Sequence, residues 1–127
     1  MKLVNPPTIV KPASKYAQGV KLKTAKRRLV ISGQVGMRPD GTMEPTTRGQ
    51  MERAWTNLLA VLADAGFERS HLVKITCFVT EPGMTARHRE TRDAALQGHM
   101  CAATYLQIAG LASPEMKVEI EGEAVKE

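Results

Sequence analysis

A chain of 127 residues fits one domain and is too short for two. Its 43% hydrophobic and 24% charged content is that of a soluble globular protein, and no apolar run approaches the ~20 residues a membrane-spanning helix needs. Two cysteines, Cys77 and Cys101, make no disulfide framework, and Lys2-Leu3-Val4 is cut off by Asn5-Pro6-Pro7 before a signal peptide can develop, so the expected setting is the cytoplasm, with both thiols free. The net charge of +5 is uneven: residues 1–63 hold 11 basic and 3 acidic side chains, residues 64–127 hold 7 and 10. The densest run, Lys21-Leu22-Lys23-Thr24-Ala25-Lys26-Arg27-Arg28, is the pattern of a solvated turn. It also keeps phosphate binding under consideration, although only Tyr16 of the aromatics lies near it and no platform for stacking bases is visible.

In chain order, residues 1–13 read as an arm outside the core, with three prolines between Asn5 and Pro12. Tyr16 to Lys23 and Arg27 to Ser32 are predicted strands; in the second, Leu29 and Ile31 alternate with Val30 and Ser32. Ser32-Gly33-Gln34-Val35-Gly36 offers glycines for a bulge, and Pro39-Asp40-Gly41 a turn. A helix is predicted over 47–65, with Met51, Ala54, Trp55, Leu58, Leu62 and Ala65 in one stripe, Thr46 or Thr47 as its cap and Gly66 as its stop. Leu72 to Thr80 is a strand with Val73, Ile75, Cys77 and Val79 on one face. A second helix over 85–97 is closed by Gly98, and strands follow at 102–108 and 116–125. The order predicts a single α+β domain in which a mixed sheet carries two helices on one face, its other face being covered by self-association if it is apolar.

Taken together, these segments resemble the reactive intermediate deaminase (Rid, YjgF-like) family along nearly the whole chain. The matching pieces are Tyr16-Ala17-Gln18, Ser32-Gly33-Gln34, Asn57-Leu58 with Ala65-Gly66, Val73-Lys74 and Val118-Glu119-Ile120-Glu121. The resemblance implies a chorismate-mutase-like fold and a homotrimer with three sites at subunit interfaces. It also implies hydrolysis of reactive enamines and imines to ketoacid and ammonia, without a metal or organic cofactor.

Residue by residue, the resemblance is incomplete. Tyr16, Ser32 and Gly33 match the pattern, and Glu119 aligns with the family's catalytic glutamate, with Glu121 as the alternative because the preceding loop is one residue longer. The arginine that holds a substrate carboxylate on the penultimate strand is replaced by Ala103, which cannot form the two parallel charge-assisted bonds. Tyr105 stands where a cysteine is common, and Arg89 where many members have asparagine on the second helix; the two readings of Arg89 are compensation for the missing arginine or a surface pair with Asp93 one turn on. The candidate catalytic residues are therefore Glu119 and Ser32, and the candidate substrate-binding residues Tyr16, Gly33, Arg89, Ala103 and Tyr105.

Period-2 alternation places Lys117, Glu119, Glu121 and Glu123 on one face of the last strand and Ala103, Tyr105 and Gln107 on one face of its predecessor. A carboxylate enclosed at a partly dry interface is suited to general acid–base work on water. His71, His88 and His99 lack metal-ligand spacing, no Gly-x-Ser-x-Gly elbow is present, and Cys101 and Trp55 read as packing residues. This pattern points to an interface cleft for a small metabolite, with an enamine or imine C–N bond as the hydrolysable group and short 2-imino acids as poor substrates. The rival readings are a non-catalytic ligand-sensing or interaction trimer and, resting on the basic run alone, an RNA-binding or ribonuclease protein.

Overall fold

The computed structural model describes residues 1–127. Helix α1 (Thr47–Asp64) begins where Thr46, in extended backbone, accepts a hydrogen bond from the Gly49 N–H at 3.0 Å. It buries Met51, Ala54, Trp55, Leu58 and Leu62 at three- and four-residue spacing, together with Thr47 and Gln50. The helix stops at a left-handed Gly66 (φ +72°), with Gly66 N–H bonded to the Ala63 carbonyl and Phe67 N–H to that of Leu62. This geometry returns Phe67 to the core. Ala65, expected at the end of the buried stripe, is exposed because it caps the helix.

Four strands form the main sheet: β3 (Arg27–Val35), β4 (Leu72–Val79), β5 (Ala102–Gln107) and β6 (Val118–Lys126), in the order β3-β6-β4-β5. β6 runs antiparallel to both neighbours, whereas β4 and β5 are parallel and are connected through α2 (Thr85–Leu96). The fold is thus α+β with a mixed sheet. A single core joins Ile31, Leu72, Ile75, Cys77, Val79, Val118 and Ile120 of the sheet side to the α1 stripe and to Leu96 of α2. No helix is long and apolar enough to cross a membrane.

Strand and helix ends shift by one or two residues elsewhere, and three differences from expectation are larger. The first residues are not wholly an arm: β1 (Lys2–Val4) pairs antiparallel with β2 (Gly19–Lys21), and the irregular, mostly exposed stretch is the proline-bearing segment between them. The predicted strand over 16–23 shrinks to β2, because Ala17 instead bridges to Ala102 at the edge of β5. β3 runs three residues beyond Ser32, since the Ser32-Gly33 bulge bends it without ending it.

The sheet face away from the helices also differs from a simple apolar surface. Val30 (67% exposed) and Leu106 are apolar, but Lys74, Thr76, Thr104, Glu119, Glu121 and Glu123 occupy neighbouring positions. Period-2 alternation on β4 and β6 puts the core residues inward and leaves these polar ones outward.

One buried polar side chain ties loops to this frame. The Gln50 amide donates to the Glu44 and Glu115 carbonyls, both at 2.9 Å, and its oxygen accepts from the Lys117 N–H at 2.7 Å. Gly36 lets the end of β3 approach α1 at this point, since a β-carbon there would lie 2.4 Å from the Gln50 Cα.

Candidate functional site

A cleft of about 320 Å³ opens between α2, β5 and the segment preceding β2. Tyr16, with Ser14 and Gln18, comes from that segment, and Ala103 and Tyr105 come from β5. The remaining wall is α2, which presents Thr85, His88, Arg89 and Arg92. Positions 85, 88 and 92 recur at helical spacing, so α2 turns a polar stripe toward the sheet. Its buried residues are His88, Thr91, Arg92 and Leu96, an unusual face for a helix that packs inward.

Arg92 is only 2% exposed. Its Nε and Nη2 both donate to Oδ1 of Asp93, at 3.0 and 2.9 Å, and Nη2 reaches Ser14 Oγ at 3.4 Å. Arg92 occupies one oxygen of the Asp93 carboxylate, and no Arg89–Asp93 pair is present; Arg89 is exposed at the cleft without an ion-pair partner. His88 is 3% exposed and stacks, tilted by 32°, on Tyr105 with ring centroids 4.7 Å apart. Burial, reinforced by Arg92 and Arg89, pushes its pKa down to about 4, so the imidazole is neutral near pH 7. Burial also raises the Tyr105 phenol above its ordinary value.

The other candidate residues lie elsewhere. Ser32 and Gly33 form the bulge of β3 opposite Glu121, between the pairs Ile31–Gly122 and Gln34–Ile120. The Glu119 carboxylate lies against Gly33: a β-carbon at that glycine would fall 1.9 Å from Oε1. Of the two glutamates left open by the sequence, Glu119 is the half-buried one beside Gly33, and Glu121 is exposed. In the sheet register Ala103 and Tyr105 align with Ile75 and Cys77 on the core side, whereas Glu119 aligns with Phe78 on the opposite face. Within one chain, therefore, Tyr16, Arg89, Ala103 and Tyr105 come together, Ser32, Gly33 and Glu119 come together, and the two sets are on different faces.

Sequence reasoning missed His88 and Arg92. The available signal was their i, i+4 spacing in line with Thr85, on a helix with too few apolar residues to bury an oily stripe. The remaining sequence features behave as packing or solvated residues. Burial pushes the thiols of Cys77 and Cys101 up to about 12 and about 11, and the basic run is an exposed turn from β2 into β3, with only Leu22 partly covered.

The comparisons with known proteins agree with this frame. Residues 7–126 match the family model described as Endoribonuclease L-PSP. The chain belongs to the Rid, or YjgF-like, family. Among similar proteins, Protein DfrA of Myxococcus xanthus is 36% identical over 113 residues, spanning 87% of this chain and 84% of that protein. The RutC family protein YjgH of Escherichia coli is 46% identical over 54 residues, 42% of this chain and 41% of its own. A Rid-family protein of unknown function from Yersinia pestis, YyfB, superposes with a TM-score of 0.89 at 26% identity, covering 98% of both chains. TdcF of E. coli, solved with bound serine, superposes with a TM-score of 0.73 at 25% identity over the full length of both.

Proposed function

We propose that this protein is a cytoplasmic Rid-family homotrimer that binds a small metabolite in clefts between subunits. Its chemistry is hydrolysis of an enamine or imine, with short 2-imino acids as poor substrates. The observation that carries this reading is the split of the candidate groups onto opposite faces of one sheet. The cleft lined by Tyr16, Ala103 and Tyr105 contains no carboxylate, and Glu119 with Gly33 lies outside it; a second copy facing the first would supply each with the other. The bound serine in TdcF supports a small metabolite as ligand.

In this reading the Glu119 carboxylate accepts a proton from water as the water oxygen adds to the imine carbon. The same proton then goes to the nitrogen to give a carbinolamine, and as the C–N bond breaks the hydroxyl oxygen becomes the carbonyl and gives up its own proton, through Glu119, to the ammonia that leaves. Ser32 and Tyr16 hold the substrate, and no metal or organic cofactor takes part. Ala103 offers no guanidinium on β5, and loss of such a carboxylate bond lowers kcat/KM by roughly 10- to 200-fold.

The test is light scattering together with ammonia release from freshly generated 2-iminopropanoate. A mass near three times 13.9 kDa is expected. Turnover should be slow compared with a Rid protein that carries the β5 arginine, and Glu119→Gln should abolish what remains. A stable monomer at micromolar concentration overturns the interface site. A trimer with no turnover of any imine favours the ligand-sensing reading.

A further inference from the structure

The two helices leave a groove of about 320 Å³ between them, and every residue that lines it belongs to α1 or α2. Helical spacing builds it. Trp55 and Leu59 stand one turn apart on α1, and on α2 Ala94 and Ala95 stand one turn beyond Glu90 and Thr91. The alanines stop at Cβ, so the wall of Trp55 and Leu59 meets no long side chain from α2, and the space left is of small-molecule size. The cleft beside β5 uses a different face of α2, that of Thr85, His88, Arg89 and Arg92, and shares no residue with this groove.

Trp55 gives the groove its chemistry. Its side chain is 2% exposed, and its indole N–H, wholly buried, has no hydrogen-bond partner. An indole nitrogen donates and does not accept, so only an acceptor completes it, and a buried donor without one is costly. The two hydroxyls in the groove are engaged elsewhere. Thr56 Oγ1 donates to the Glu52 carbonyl at 3.0 Å and Thr91 Oγ1 to that of Arg87 at 2.9 Å, each turned back on its own helix. Among the neutral groups of the wall the indole is thus the one unclaimed donor.

The mouth fixes the charge of an occupant. Arg48 donates to Glu52 at 3.0 Å and, from one helix to the other, to Glu90 at 3.2 Å, while Arg87 holds the second Glu90 oxygen at 3.0 Å. Two guanidinium groups and two carboxylates answer one another. A charged ligand would have to break one of these pairs, whereas a neutral one enters without disturbing them.

We propose that the α1–α2 groove is a second ligand site, for a small neutral molecule with an apolar body and one hydrogen-bond acceptor, the chemistry of an aryl or alicyclic ketone. The acceptor takes the Trp55 indole N–H, and the body lies along Leu59 against Ala94 and Ala95. The site stands independently of imine hydrolysis, because it uses no residue of that chemistry.

Trp55 is the only tryptophan, so the isotope-labelled full chain gives a single indole N–H resonance. The experiment titrates it with acetophenone, with ethylbenzene as a probe of similar outline that lacks the acceptor, and with benzylammonium and benzoate as charged probes. Acetophenone should move the indole proton downfield and saturate in the millimolar range or below, and ethylbenzene should bind roughly fivefold more weakly, the share of one neutral hydrogen bond. Ala94→Leu, at an exposed position of α2, fills the groove and should abolish the shift while the melting transition stays in place. Trp55→Phe keeps a ring and removes the donor, and calorimetry should then show acetophenone and ethylbenzene binding alike; should that variant fail to fold, Ala94→Leu decides. The proposal is overturned by an indole resonance that acetophenone leaves in place, by a shift that survives Ala94→Leu, or by ethylbenzene binding as tightly as acetophenone to the wild type. A charged probe that moves the resonance at lower concentration than acetophenone overturns it as well.

Discussion

His88 experiences three influences at once: desolvation, the like charges of Arg92 and Arg89, and the weaker opposing charge of Asp93. Its folded-state pKa of about 4 lies below the ordinary imidazole value of ~6.5. As pH falls through that window the unfolded chain takes up a proton that the folded chain refuses. Stability is therefore complete above about pH 6.5 and declines toward pH 4, by about 3 kcal/mol in total. Urea denaturation across this range should show the decline in the wild type and a flatter profile in His88→Gln. Equal acid slopes in the two proteins would contradict the burial account. The cleft residues show how far sequence reaches at this scale. Tyr16, Ala103 and Tyr105 were legible from strand alternation and family pattern, and Arg89 from its place on the helix. Arg92 and His88 were not, because burying a guanidinium beside a neutral imidazole depends on Asp93, Ser14 and Tyr105, which tertiary structure alone brings near.

Among the elements, α1 was the most legible: its stripe, its Thr46 cap and its Gly66 stop are local signals that tertiary packing reinforces. The strand ends were less so, since pairing decides them; Ala17 leaves the line of β2 to bridge β5, and the β3 bulge is visible only against β6. Gln50 carries no sequence signal that sets it apart from other polar helix positions, yet it holds the loop before α1 and the loop before β6 together. Gln50→Leu keeps the volume close to that of glutamine and deprives two carbonyls and one N–H of their partner. It should lower unfolding free energy by about 3 kcal/mol, measured by urea denaturation. A loss under about 1 kcal/mol would mean that water replaces the amide.

For the whole molecule, the asymmetry of charge has a spatial meaning. The basic turn between β2 and β3 projects into solvent, and part of its charge is already answered by the Arg28–Glu123 pair, while the backbone N–H of Lys23 donates to Glu127. A solvated turn of this kind binds phosphates only weakly and without sequence preference. Any affinity for RNA should thus be weak, and the alanine replacement of Lys23, Lys26 and Arg27 together should leave its salt dependence unchanged in an electrophoretic or fluorescence titration. A slope that falls by about one power of salt per residue removed would restore the nucleic-acid reading. The fold as a whole was readable because order and alternation of elements leave few arrangements of two helices on a mixed sheet. The pairing order of the strands was not, because alternation tells which face a strand buries and never which neighbour it meets.

That pairing order has a consequence for how the molecule is made. β6 is the last strand in sequence and yet lies between β3 and β4. As the chain grows from its N-terminus, β3 and β4 each wait with an open hydrogen-bonding edge and an apolar side, Ile31 on one and Ile75 and Cys77 on the other, for a strand not yet synthesised. Such edges are templates for association with other chains. The main sheet is therefore incomplete until β6 inserts between β3 and β4, and everything from β3 to β5 has to wait for that insertion.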